Sequence, residues 1–228
     1  MQIDFYEHYK KKGTLKLDKE SFRDDLAIDE PYIKLVKKYL NNSGRILECG
    51  CCPARTALSL AFNGFQVTAV DYNDKILGVA KENAINLGLD DKIIFILMDF
   101  FNIEREFEKN SFDCITHQGV IEHYNEEEIK RILKLQINIA PLIIFSVPIK
   151  TEFNAKEYFK DSMYRNLWTE KYWLEDVLKD FYVMDFKVVR QRSDNLIVVI
   201  EKFSKEVIEQ IRESESNKNK GKFKEFIY

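Results

Sequence analysis

No run in these 228 residues approaches the roughly 18 consecutive apolar residues of a membrane-crossing helix, and the opening MQIDFYEHYKKKG has no apolar stretch of the secretory kind. A cytoplasmic protein with no membrane partner is the expectation. Cysteine is scarce: Cys49, Cys51 and Cys52 crowd one loop and Cys114 stands far downstream. That spacing does not match the C-x2-C pairs of structural zinc sites, so no metal is expected, and the four thiols read as small apolar fillers rather than a disulfide scaffold. Neither sign of charge dominates, since 35 Lys and Arg face 38 Asp and Glu for a net charge of −3. Without a basic face, nucleic acid is disfavoured as a partner. Internal repeats are absent too. What is present is 45% hydrophobic and 13% aromatic content, enough for one sizeable core.

Along the chain, residues 1–30 read as a polar N-terminal cap with scattered aromatics, and Pro31 is expected to start a helix ending at Asn41-Asn42-Ser43-Gly44. The pattern then predicts strand Arg45 to Cys49, a helix over about Arg55 to Phe62, strand Gln66 to Val70, a helix from Asp74 to Leu87 stopped by Gly88, and strand Ile93 to Met98. A fourth strand is expected over Ser111 to Thr116. Asn125 followed by three glutamates predicts a capped helix start, and Leu142 to Val147 suits a central strand buried on both faces. Residues 149–167 form a polar and aromatic insertion. A helix from Thr169 to Leu178 and two strands, Tyr182 to Arg190 and Leu196 to Phe203, follow, with Ser193-Asp194-Asn195 as a hairpin signal. Residues 204–228 read as a charged helix or tail.

The stretch from Arg45 to Asp71 orders an apolar strand, a tight loop of small residues, a helix, and a second strand ending on a carboxylate. Parallel α/β sheets bind ligands at the carboxyl ends of their strands, where a helix N-terminus offers unpaired N–H groups. Asp71 would then lie beside a ribose. The loop Glu48, Cys49, Gly50, Cys51, Cys52, Pro53, Ala54 resembles motif I of the class I S-adenosylmethionine (SAM)-dependent methyltransferases, an acid and any residue followed by Gly-x-Gly-x-Gly, with Cys52 and Ala54 in place of the second and third glycines. The resemblance runs from about Tyr32 to Phe203.

That resemblance implies a doubly wound, Rossmann-like, seven-stranded and mainly parallel sheet with an antiparallel C-terminal hairpin, and a methyltransferase domain over residues 31–203 with residues 149–167 as its substrate lid. SAM is the implied cofactor, held by Glu48, Gly50 and Cys52 at the loop, by Asp71 at the ribose hydroxyls, and by Asp99 at the adenine amino group. Tyr72 and Phe100 would sandwich the base, and Gln118 and Gly119 would meet the methionine end. The implied acceptor is a small molecule, with Tyr9, Tyr158, Tyr164 and Trp168 as candidates for its pocket.

Methyl transfer from a sulfonium needs alignment first and a base second. His117 and His123 are the candidate bases, because imidazole titrates near neutral pH and both flank the fourth strand's end. A helix N-terminus beside Cys52 would lower its thiol pKa, giving an alkylation site that SAM blocks.

Plainer readings stand beside these. Asp71 or Asn73 is equally expected simply to cap the next helix, and Tyr72 and Phe100 to pack in the core. A nicotinamide dehydrogenase needs G-x-G-x-x-G, which this chain breaks at Cys52 and Arg55. The stronger rival is a non-catalytic SAM-binding or partner-binding protein that keeps the fold. Oligomeric state stays open, a homodimer included.

Overall fold

A computed structural model describes residues 5–158 and 163–203, with Val207 and Gln210 beyond them; the side chains of Glu157 and Tyr158 are outside the description. The strands are β1 (Arg45–Cys49), β2 (Gln66–Asp71), β3 (Ile93–Leu97), β4 (Cys114–Gln118), β5 (Leu142–Pro148), β6 (Tyr182–Arg190) and β7 (Asp194–Glu201). They form one sheet in the order β3-β2-β1-β4-β5-β7-β6. All pairs through β5 are parallel, while β7 runs antiparallel to both its neighbours. The fold is therefore the Rossmann-like α/β sheet with an antiparallel closing pair. Chain order reverses between β1 and β4, and a doubly wound sheet opens its ligand crevice at such a switch.

The helices are α1 (Phe5–Lys11), α2 (Lys19–Leu40), α3 (Arg55–Phe62), α4 (Asp74–Leu87), α5 (Ile103–Glu106), α6 (Glu126–Ile139) and α7 (Glu170–Tyr172). Two apolar clusters show the layering. Tyr32, Ala57, Leu58 and Leu77 pack with Ile46, Ile144 and Val199 on one face of the sheet, and Ile103, Ile129, Leu133 and Trp173 pack with Leu47, Phe145 and Val198 on the other. Alternate residues of each strand thus feed opposite layers, and every residue of β5 is buried.

Pro31 does not start a helix. It lies inside α2, whose beginning is fixed by Asp18: its side chain accepts the Ser21 N–H at 2.8 Å, and the Ser21 hydroxyl accepts the Asp18 N–H at 3.0 Å. The first turns of α2 look polar because, beside Phe22, they bury two acids. Asp25 is held by Arg55 and Arg192, and Asp29 accepts the Ser59 hydroxyl at 3.0 Å. β4 ends later than expected and includes His117 and Gln118. The hairpin turn sits two residues earlier, at Gln191 to Ser193, since the Asp194 N–H donates to the Asn154 side chain at 2.8 Å and Asn195 pairs with Pro148 in the ladder. Asn125 caps α6 with Glu128 closing the box. Residues 173–177 continue α7 as a π-helical turn ending at Leu178. The expected charged tail lies outside the described residues, apart from Val207 and Gln210.

Candidate active site

The loop after β1 keeps its left-handed geometry although two of its glycines are replaced. Gly50, Cys52 and Ala54 have φ of 71°, 49° and 68°. An L residue held there is strained by about 1–3 kcal/mol, so the surrounding contacts enforce the shape. Asp71 at the end of β2 supplies one such contact by accepting the Cys52 N–H at 2.9 Å, and Val70 supplies another, its carbonyl accepting from Gly50 and Cys51 at 2.9 and 3.0 Å. A third anchor is buried Asn83 of α4. Its amide donates to the Pro53 and Leu15 carbonyls and its oxygen accepts the Leu17 N–H, so one side chain ties the loop to the segment before α2. At Gly50 a side chain would meet the Val120 methyls at 3.0 and 3.1 Å, which is why glycine remains there.

Below this loop opens a cavity of about 330 Å³, between the carboxyl ends of β1 and β4. Glu48, Gly50, Cys51, Cys52, Arg55 and Thr56 line one side, Gln118, Gly119, Glu122 and His123 the next, and Gln191, Arg192, Ser193 and Asn195 of the β6–β7 corner the far wall. Phe5, His8, Tyr9 and Lys12 roof it from α1 and the residue beyond, while Met163 and Arg165 close the remaining edge. Gln118 is fixed by donating to Thr56 Oγ1 at 3.1 Å and to Asp29 at 3.4 Å. Glu48 is 3% exposed, and its Oε2 has no hydrogen-bond partner among the described residues. Desolvation, then the neighbouring Asp29 and Asp71 carboxylates, raise its pKa well above the usual range.

Of the residues expected from the sequence, the structure gathers Glu48, Gly50, Cys52, Gln118, Gly119, His123 and Tyr9 at this cavity. Asp71 adjoins it through the Cys52 hydrogen bond, 4% exposed, and its other oxygen accepts the Asn73 N–H at 3.0 Å. The cap of α4 is Asn73 itself, accepting from Ile76 at 3.2 Å. Asp71, Tyr72, Asp99 and Phe100 are not among the cavity-lining residues. Asp99 is exposed and accepts the Phe101 N–H, and Phe100 is buried in the core with its ring near Phe101 and Tyr124.

Three expectations are corrected. His117 is fully buried, its ring stacked on Phe145 with centroids 5.2 Å apart, and desolvation lowers its pKa to about 3. It therefore stays neutral in the core on the opposite face from the cavity, because its side chain alternates with that of Gln118. Cys52 is half-buried, but burial and the Asp71 carboxylate push its thiol pKa up, the reverse of an activated nucleophile. Among the acceptor candidates, Tyr164 is 57% exposed with its hydroxyl on Asn166, and Trp168 packs on Tyr172 and Trp173; neither lines the cavity. The side chain of Tyr158 lies outside the described residues.

Sequence reasoning passed over Glu122, Asp29 and the Arg55–Asp25–Arg192 cluster. Each is a charged residue whose burial only the tertiary fold reveals. The one local signal was Glu122-His123 directly after a strand end. Among the described residues no group of three or more His, Cys, Asp and Glu is placed to hold a metal ion.

Comparison with known proteins agrees with this geometry. Residues 46–138 match the methyltransferase-domain family. YqeM from Bacillus subtilis (strain 168), which bears a provisional methyltransferase name, is 26% identical over 156 residues, 63% of this chain and 59% of its own length. The chain thus spans about three-fifths of the curated relative it matches. Among solved structures, the PH0226 protein from Pyrococcus horikoshii OT3 superposes with a TM-score of 0.70 at 19% identity, covering 86% of this chain and 99% of that one. Magnesium protoporphyrin IX methyltransferase (ChlM) from Synechocystis PCC 6803, solved with bound SAH, gives a TM-score of 0.61 at 17% identity, over 78% and 83%. Over residues 46–138 this chain is thus similar to the methyltransferase-domain family, and its sheet has the fold of a methyltransferase that was solved with bound SAH.

Proposed function

We propose that the protein transfers a methyl group from SAM to a small-molecule acceptor by in-line displacement. The observation that carries this reading is the loop after β1 with its three left-handed residues, next to the buried Glu48 of β1, whose Oε2 has no hydrogen-bond partner among the described residues, beside a cavity at the sheet's switch point. The donor set fits the cofactor: Glu48 Oε2 is an acceptor suited to an ammonium group, and each Asp71 oxygen retains a lone pair after its backbone hydrogen bond. When bound, SAM supplies a methyl group already activated on sulfur.

The chain's own part is then to bind, orient and exclude water. Asp71 takes the ribose hydroxyls and Gly50 lets the cofactor approach the backbone, while Gln118 and Gly119 face the methionine end. Asp99 and Tyr72 serve the adenine from the rim. Tyr9 and Phe5 of α1 close the roof, and residues 149–167 act as the lid through Met163 and Arg165. Of the two histidines weighed as bases, only His123 lines the cavity. A small acceptor suits a cavity of this volume better than a polymer.

Tritium-labelled SAM incubated with the protein and a set of amines, phenols, thiols and carboxylates tests the reading. Label appearing in one acceptor class supports it. SAM binding without transfer to any class favours the non-catalytic binder instead.

A further inference from the structure

Glu122 is the cavity's least explained side chain. It is 2% exposed, its Oε2 has no hydrogen-bond partner among the described residues, and its backbone carbonyl is pinned by the Asn166 N–H at 2.8 Å. Its Oε1 lies 3.8 Å from His123 Nε2. Nδ1 of the same imidazole sits 2.7 Å from the Tyr164 carbonyl oxygen, which can only accept, so Nδ1 carries a proton and Nε2 is the nitrogen that faces Glu122. A neutral imidazole in that tautomer holds its Nε2 lone pair towards a protonated Glu122, 3.8 Å away and so short of a hydrogen bond.

We propose that Glu122 takes the acceptor's proton during methyl transfer, and that the acceptor is therefore a nitrogen or oxygen bearing hydrogen, an amine or a hydroxyl compound. The proposal rests on the SAM-dependent reading above. As the acceptor's N–C or O–C bond forms, the methyl–sulfur bond breaks with its electron pair left on sulfur. The N–H or O–H pair stays on the acceptor atom, and the proton passes to the ionised Glu122 carboxylate. His123 is a positioning residue whose Nε2 faces the resulting acid.

The groups facing Glu122 make the proton's destination plausible on chemical grounds. Desolvation raises its pKa more strongly than its own backbone N–H and Arg165 lower it, which brings it to about 7. Cys52 across the loop, His8, Tyr9 and Lys12 on the roof, and Glu48 and Asp29 are further titratable groups lining the same cavity. The position thus matches what a base working near neutrality requires.

Infrared titration of the ligand-free full chain, wild type against Glu122→Gln and His123→Ala, reads the carboxyl directly. The expected result is a protonated-carboxyl signal vanishing with a midpoint near pH 7, missing in E122Q, and moved to lower pH in H123A. A midpoint near the ordinary 4.5, or one that H123A leaves in place, overturns the proposal. Calorimetry with S-adenosylhomocysteine separates the two readings: failure of the wild type to bind sinks the SAM-dependent reading, whereas equal binding by wild type and E122Q shows the variant is folded. Transfer of label to benzylamine or phenol should then fall by about 10²–10⁴-fold in E122Q. Wild-type rates in E122Q, or transfer confined to thiols, would also overturn the assignment.

Discussion

The carboxylate of Asp71 accepts the backbone N–H of Cys52 at 2.9 Å, joining the end of β2 to the loop after β1. This contact spans 19 residues of sequence and holds a non-glycine residue at φ 49°. Replacing Asp71 by Ala leaves the Cys52 and Asn73 N–H groups without their acceptor, and should destabilise the fold by about 1–3 kcal/mol. Urea denaturation checks it. Asp71→Asn, which keeps one carbonyl acceptor, should lose less.

Cys52→Gly tests whether the thiol crowds the cavity. Relief of left-handed strain of about 1–3 kcal/mol offsets the roughly 0.5–1 kcal/mol entropic cost of a glycine, so stability should hold or rise. SAM affinity should tighten. Weaker binding in the variant would mean that the side chain contributes contact rather than obstruction.

Gly50→Ala should be harmful for two reasons: the positive φ, and a Cβ about 3.0 Å from the Val120 methyls. Pairing it with Val120→Ala removes the second reason only. The double variant should regain part of the lost thermal stability, and no regain would place the whole effect in the backbone.

Asp25 is buried between Arg55 and Arg192. Asp25→Asn removes the carboxylate between Arg55 and Arg192, and because Arg192 is 46% exposed the cost should fall below the roughly 3–5 kcal/mol of a fully buried pair. A thermal-melt shift of only a degree or two would show that solvent already screens the arginines.

Two buried groups should give stability opposing pH slopes. His117 has its folded pKa lowered from 6.5 to about 3, so the unfolded chain binds the extra proton and stability falls as pH drops below 6.5. Glu122 is raised from 4.5 to about 7, so its contribution is full below 4.5 and is lost as pH rises through 7. Between pH 4.5 and 6.5 the two partly cancel. E122Q removes one of them, and denaturation at pH 5 and 6.5 should show stability rising with pH more steeply than in wild type.

Periodicity and turn chemistry made the sheet legible in the sequence. Short apolar runs marked β1, β2 and β3, Gly88 marked the end of α4, and the Asn125 box marked the start of α6. The start of α2 was hidden because Asp25 and Asp29 are buried by charge and hydrogen bonds that come from α3 and the β6–β7 corner. Glu48 and Asp71 could be picked out as acids at strand ends. His117 and Gln118 could not be told apart, since a one-residue shift in where β4 ends exchanges core and cavity. Arg192 and Arg165 reach the cavity through long-range packing that carries no local pattern.

The most direct test of the account is calorimetric titration of SAM into the wild-type protein and the Asp71→Ala variant at matched protein concentration. The account predicts saturable binding by the wild type, weakened at least about tenfold in the variant, the equivalent of about 1.4 kcal/mol. Absence of binding by the wild type, or equal affinity in both, would contradict it.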